Sequence, residues 1–377
     1  MLSVDREQVM AYRIAAQELR RPHGDLGKLA VLGLGVQDAQ RGSARLALAA
    51  RLDVEPAALS GESLRDALDA AGVTLAWSHR GAPHLHHAAE LPSVAASLVP
   101  LSDADAQARL AWQRADVAKA GMPPTAALRT AATALHDVVD TTMTKGAASE
   151  RVTKRLPEGL VRWCRGCQAT HINEQVMRLT TLRAGVRLEP DVYPATLTPL
   201  GGGLLAEEPD VAACTEVAAR YLNLHGPATV AEAAGFIGTT QRVAAEMWPE
   251  GLVEVDLAGT RTWLAPEDVA TLENPPEPEV VRLLPPSDPL LQARDRRTLV
   301  PDEGCHKQLW RILGNPGVLL AGGEIVATWR AKASGRRLDV TVEPLLPLRP
   351  VDRAATEDEA TRIATARGFA TATVTFR

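Results

Sequence analysis

Between Val211 and Leu264 the chain changes its apolar period in an order that few folds accommodate. Val211 to Leu222 repeats apolar residues at helical spacing, Gly226-Pro227 turns the chain, Thr229 caps a helix through Gly235, and Thr239-Thr240 starts another through Trp248. Leu252 to Leu257 and Thr262 to Leu264 then alternate with a period of two on either side of Ala258-Gly259, as a hairpin does. Helices followed by a short hairpin make a winged helix. The same order occurs twice upstream. Val4 to Arg20 and the stretch around Leu64 to Ala70, ended by Gly72, read as helices before the strand Val73 to Trp77, the turn Arg80 to Pro83 and the returning strand His84 to His87. Leu110 to Lys119 and Ala126 to Thr141 read as helices, a shorter one begins at Ser149 to Val152, and Val161 to Thr170 reads as a hairpin.

Asn274 to Glu279 is a proline-rich boundary, after which Val280 to Leu284, Gly317 to Ala321, Glu324 to Ala331 and Arg337 to Pro344 form a β-rich pattern. A helix from Thr356 to Ala366 and a closing strand from Thr371 to Phe376 complete it. With only 3% aromatic residues, Ala, Leu and Val must fill the cores, which suits small helical modules. The expected class is therefore α+β: three tandem winged helices at 1–104, 105–188 and 189–275, and a barrel-like β-rich domain at 276–377.

No run of 18 apolar residues occurs and the first residues are charged from Asp5 onward, so neither a membrane span nor a signal peptide is expected. Four cysteines are too few for a disulfide framework in 377 residues, and a cytoplasmic, reducing location fits them. The net charge of −5 hides a strong segregation. Residues 151–187 carry eight Arg/Lys against two acids, a net +6, and residues 282–337 carry ten against five, a net +5. Residues 189–279 carry three against sixteen, a net −13. Alternating basic and acidic blocks suit a protein that grips a polyanion with two of its modules, and the acidic third module reads as scaffold.

The segment Val31 to Leu52, VLGLGVQDAQRGSARLALAARL, sets Gln37, Asp38 and Gln40 between two apolar helical patterns. Gly42-Ser43 offers a helix start with Ser43 as N-cap, so these polar groups stand at the mouth of a helix, where they can meet a ligand. The plainer reading is a hydrophilic turn whose side chains cap their own backbone.

Five segments, GVQDAQRGSARLALAARL (35–52), HRGAPHLH (79–86), THINEQVMRL (170–179), LLPPSDPLLQARDRR (283–297) and GEIVATWRAKASGRRLDVTVEPLLPL (323–348), resemble in order those of the winged-helix DNA-binding family that includes the AlkZ-like DNA glycosylases. Glycosylases of that family carry Gln-x-Gln or Gln-x-Asp in the first segment. Aligned on the following helix, the first Gln falls at Gln37 and the third position at Ala39, with Asp38 and Gln40 flanking it. The resemblance implies three winged helices with a small β domain, double-stranded DNA as partner, and hydrolysis of the N-glycosidic bond of alkylated or adducted purines. It also links relatives to antibiotic adducts, a self-resistance role. Gln37, Asp38 and Gln40 are then the expected catalytic groups. The alternative is a non-catalytic winged-helix regulator or lesion sensor.

The resemblance places Arg80 and His84 at a wing tip near phosphate or the minor groove, against simple surface or core histidines; the alternation puts His84 and His86 on one side of a strand and His87 on the other. Arg330, Lys332, Arg336 and Arg337 around Ser334-Gly335 make a basic hairpin tip expected to contact the DNA backbone. Arg294, Arg296 and Arg297 with Asp288 and Asp295 read as a solvated loop held by local ion pairs. Cys164, Cys167 and His171 offer three soft or borderline ligands, but a closed tetrahedral site needs a fourth and none is evident. No metal, no cofactor, no membrane and a monomer are therefore expected.

Overall fold

The computed structural model describes residues 2–40, 42–311 and 313–377. The chain divides into two compact units: 1–73, 220–232 and 250–377 form the first, and 74–219 with 233–249 the second. The architecture is mixed α+β.

In the first unit an open five-stranded sheet runs in chain order through Val281–Leu284, Gly317–Ala321, Glu324–Ser334, Arg337–Pro344 and Thr371–Phe376. Neighbours are antiparallel until the last pair, which is parallel. A parallel neighbour needs a crossover, and the helix Pro350–Ala366 supplies it. Its buried residues Ala360, Ile363 and Ala364 pack with Leu283, Leu319, Trp329, Leu338, Val340 and Val342 in one core. The helix begins six residues before the expected Thr356, because Pro350 occupies its first turn, where the missing N–H is no loss. The sheet is a half-barrel rather than a closed barrel: its outer strands, Val281–Leu284 and Thr371–Phe376, lie at opposite ends of the strand order.

Gly317 faces Trp329 across the sheet, and a Cβ at Gly317 would stand 2.4 Å from the indole ring. Only glycine lets Trp329 lie over the strand, with its Nε1–H donated to the Leu284 carbonyl at 2.8 Å.

Also in the first unit, the helix Arg6–Ala16 starts in a capping box between Asp5 and Gln8. Arg13 and Arg51 are fully buried. Arg13 is held by Asp295 at 2.7 and 3.0 Å, and Arg51 by Asp288 at 2.8 and 2.9 Å. Arg6 pairs with Glu324 and Arg21 with Glu359, each in the same two-pronged manner. This corrects the expectation of a solvated 288–297 loop with local pairs: Asp288 and Asp295 are engaged by arginines far away in sequence, since a buried guanidinium needs a carboxylate wherever the chain can supply one.

The second unit centres on five strands in the order Pro83–His87, Val73–Trp77, Val186–Leu188, Thr196–Pro199 and Met143–Thr144. Ala76, Leu91, Val94, Ala95, Leu98 and Leu182 form a core there. The expected helix Leu110 to Lys119 is broken: Asp103–Leu110 ends at Ala111, whose φ of +50° leaves the helical region, and Arg114–Ala118 restarts it. The helix expected from Ser149 instead starts at Lys145, where Thr144 Oγ1 accepts from the Ala147 N–H. The hairpins Val161–Cys164/Ala169–Ile172 and Val253–Leu257/Thr260–Leu264 lie where the alternation puts them.

Candidate active site

Gln37, Asp38 and Gln40 enter the helix Ser43–Arg51 of the first unit. The N-cap position belongs to Gly42 rather than the expected Ser43, because the chain takes φ +78° there, a left-handed conformation that glycine adopts without strain. Glycine has no side chain with which to cap. Asp38 does it instead: its Oδ1 accepts the Ala44 N–H at 3.0 Å, and the Ser43 hydroxyl bridges Asp38 Oδ1 at 3.3 Å and the Gln37 carbonyl at 3.2 Å. The capping reading of this turn and the site reading thus meet in one residue. The N-terminal end of a helix favours a carboxylate, so Asp38 is both oriented and electrostatically supported. At the other end of the helix, the Arg51–Asp288 clamp fixes its direction.

Beside this turn lies a cavity of about 200 Å³, with Gln40, Ser43, Asn315, Trp329, Arg330 and Arg367 in its wall. Two residues singled out in separate segments, Gln40 and Arg330, therefore line one space. Gln40 Nε2 reaches the Asn315 carbonyl at 3.4 Å, and Arg330 donates to the Gly314 carbonyl at 2.7 Å. Burial, and then the nearby Arg45, press the pKa of Arg367 down. The crowding of guanidinium groups gives the cavity a positive field that suits a phosphodiester. Trp329, Asn315 and Arg367 escaped the sequence reading: a tryptophan in a strand reads as core, and nothing local ties Arg367, just past a helix, to Gln40.

Further along the same strands, Lys332, Arg336 and Arg337 are exposed around the turn at Gly335. Arg337 pairs with Asp339 at 2.6 Å and holds its carboxyl below the usual carboxylate range. The tip thus relieves part of its mutual repulsion internally.

Arg80 and His84 lie in the second unit, and of the readings open for His84 its burial favours that of a core histidine. His84 is 1% exposed. Its Nδ1 sits 2.9 Å from the Ala82 carbonyl and 2.8 Å from Ser78 Oγ, and Ser78 Oγ is 2.9 Å from His86 Nε2. A carbonyl only accepts, so His84 Nδ1 carries the proton and donates to Ser78 as well, and the Ser78 hydroxyl donates onward to His86. Burial, and then His86, His79 and Arg80, push the His84 pKa well below its ordinary value. Such an imidazole is neutral and offers a phosphate no charge. Arg80, at φ +60°, stacks its guanidinium 4.7 Å from the Phe236 ring centroid and donates to the Phe236 carbonyl. The Gln175 side chain ties down its backbone, donating to the carbonyls of Arg80 at 3.3 Å and Arg109 at 3.1 Å.

The Cys164, Cys167 and His171 ligand atoms also come together in the second unit, all within 4.8 Å of one another. The neighbouring His171, and then Cys167, hold the Cys164 thiol down to about 6.

The sequence matches the profile of the AlkZ-like DNA glycosylases over residues 31–366. The chain belongs to the AlkZ-like DNA glycosylase family. A solved structure, that of Streptomyces sahachiroi DNA glycosylase AlkZ, superposes with a TM-score of 0.75 at 21% identity and covers 100% of both chains. At that identity the likeness speaks for the shared mixed α+β fold. No curated protein matches the chain. Membership makes the chain a DNA-binding repair hydrolase and disfavours the non-catalytic regulator. Among the described residues no helix is long and apolar enough to cross a membrane.

Proposed function

We propose that this glycosylase hydrolyses the N-glycosidic bond of purines carrying alkyl or bulkier adducts in double-stranded DNA. Alkylation at N3 or N7 leaves the purine cationic and already a good leaving group, so neither a strong general acid nor a metal or cofactor is required for the chemistry. What the enzyme must supply is a positioned water and negative charge near the oxocarbenium-like sugar. The Gln37 amide carbonyl is suited to orient the water, and the Asp38 carboxylate to stabilise the sugar cation. Gln40, one residue beyond the displaced third motif position, is suited to hold the sugar-phosphate or the water's second hydrogen.

The observation that carries this reading is the shared cavity: Gln40 from the motif and Arg330 from the basic strand line one space beside the Asp38-capped helix. Arg330, Lys332, Arg336 and Arg337 then grip the DNA backbone. Arg80 and His84 act, on this reading, as supports of the second unit's fold rather than as phosphate contacts.

The order of helices and hairpins supports three winged-helix modules at 1–104, 105–188 and 189–275 before the β-rich domain at 276–377. The acidic third module carries an exposed Arg242–Glu246 pair at 3.6 Å, in keeping with a scaffold. The enzyme acts as a cytoplasmic monomer on this proposal, and a role in resistance to a DNA-alkylating antibiotic fits its family.

The test is release of free base. Duplex DNA treated with a methylating agent, or with a bulky N7-alkylating agent, is incubated with the protein and the supernatant analysed for 3-methyladenine, 7-methylguanine or the bulky adduct. Absence of every free base, with binding to the same DNA intact, would falsify the proposal.

A further inference from the structure

The strands Val161–Cys164 and Ala169–Ile172 pair antiparallel, with Arg162 opposite His171, Trp163 opposite Thr170 and Cys164 opposite Ala169. Residues two apart on a strand, together with their cross-strand partners, share a face, so Cys164 and His171 stand diagonally on one side of the ribbon. The turn between them bends Cys167 back to that side, with Gln168 at φ +52°. Cys164 Sγ, Cys167 Sγ and an imidazole nitrogen of His171 consequently lie within 4.8 Å of one another, the spread expected of ligands around one small ion.

One detail of the surroundings points the same way. His171 Nδ1 is 2.8 Å from the Ile172 carbonyl, which can only accept; Nδ1 therefore carries the proton and Nε2 presents its lone pair. A metal-bound histidine is commonly oriented by this arrangement.

We propose that this hairpin is a Zn²⁺ site, with Cys164 Sγ, Cys167 Sγ and His171 Nε2 as ligands and a fourth position open to water. Two thiolates and an imidazole select a soft or borderline cation over Mg²⁺ or Ca²⁺. Glu174, the nearest carboxylate in the following helix, is engaged by Lys145 at 2.6 Å and Arg178 at 2.7 Å, so water is the fitting fourth ligand. Binding displaces the thiol protons to solvent and involves no change of oxidation state.

The hairpin has reason to need such a staple. Two strands alone are marginally stable in water, and this pair buries little beyond Leu160 and Ile172 at its base, while Trp163 is 60% exposed. A metal bridging the turn to the far strand would fix the ribbon's register within the segment of net charge +6.

The experiment uses the full chain, stripped with a chelator, kept under a phosphine reductant and titrated with Co²⁺ and then Zn²⁺. The expected result is about one Co²⁺ per chain, with sulfur-to-cobalt charge-transfer absorption and tetrahedral d–d bands, both displaced by Zn²⁺. Cys167→Ser and His171→Ala should each weaken uptake by at least about tenfold. His171→Cys, which restores a soft ligand, should regain it, and Cys305→Ser should not differ from the parent. Circular dichroism of the variants keeps loss of fold distinct from loss of a ligand. The proposal is overturned if the reduced protein takes up no Co²⁺, if Cys167→Ser binds it as well as the parent does, or if His171→Cys fails to bind while remaining folded.

Discussion

Arg51 and Asp288, separated by 237 positions in sequence, form a two-pronged ion pair in which neither side chain has measurable exposure. Arg51 Nη1 also donates to the Ala47 carbonyl at 2.9 Å, and Nη2 to Gln17 Oε1 at 3.2 Å. The pair ties the far end of the helix that begins under Asp38 to the loop following the first strand of the C-terminal sheet. Asp288→Ala would leave a guanidinium buried without its counter-charge, a cost of about 3–5 kcal/mol. Urea unfolding followed by circular dichroism should show that loss. A change smaller than about 1 kcal/mol would mean that water reaches Arg51.

Asp38 has a structural and a proposed catalytic task, and one substitution separates them. Asparagine caps helices about as well as aspartate, so Asp38→Asn should hold stability within about 0.5 kcal/mol of the parent. It removes the negative charge, so base release should fall roughly 10²-fold. Unchanged release would move the electrostatic role away from Asp38.

Gln37 contributes its backbone carbonyl to the Ser43 hydroxyl, an interaction that a side-chain truncation leaves in place. Gln37→Ala should therefore abolish base release while duplex affinity and melting temperature stay close to the parent's. Release within about twofold of the parent would remove Gln37 from the catalytic set.

The exposed hairpin tip lends itself to a salt titration. Replacing Arg330, Lys332, Arg336 and Arg337 with Gln should weaken duplex binding and reduce the salt dependence of log K by about 0.9 for each phosphate that is no longer neutralised. Parallel slopes for parent and variant would take the tip out of the interface.

His84 supplies a pH prediction. Its folded pKa lies well below the ordinary histidine value of 6.5, so in acid the unfolded chain binds a proton that the folded chain refuses. Stability is then unaffected above about pH 6.5 and falls as the pH drops below it, until the folded group itself titrates. Chemical denaturation between pH 7.5 and pH 5 should show that decline, and His84→Asn should flatten it. Equal slopes for the two proteins would assign the acid sensitivity to other groups.

What could be read from the sequence was whatever leaves a local trace. The hairpin around Ala258-Gly259 was legible because period-two alternation and turn residues occur together, and the placing of His84 and His86 on one side of their strand followed from that period. The helix from Pro350 was cut short because its first turn resembles the strand-ending prolines before it. Partners that meet only in three dimensions left no trace. Asp295 reads as a loop residue until Arg13 is seen 282 positions away, and the choice between a wing-tip and a core His84 stays open until its burial is known. At the site, the polar turn at Gln37 to Gln40 was visible, whereas the cavity that Asn315, Trp329 and Arg367 complete was not.

Four two-pronged arginine clamps that join distant parts of the chain, Arg6–Glu324, Arg13–Asp295, Arg21–Glu359 and Arg51–Asp288, share a direction along it. Every cation lies within the first 51 residues, and every carboxylate at position 288 or beyond. A ribosome making this protein releases the arginines long before it has made their partners. The amino-terminal helices must therefore wait, with their cations in water, until the last quarter of the chain emerges; this part of the molecule cannot settle in order of synthesis, and the final sheet closes it.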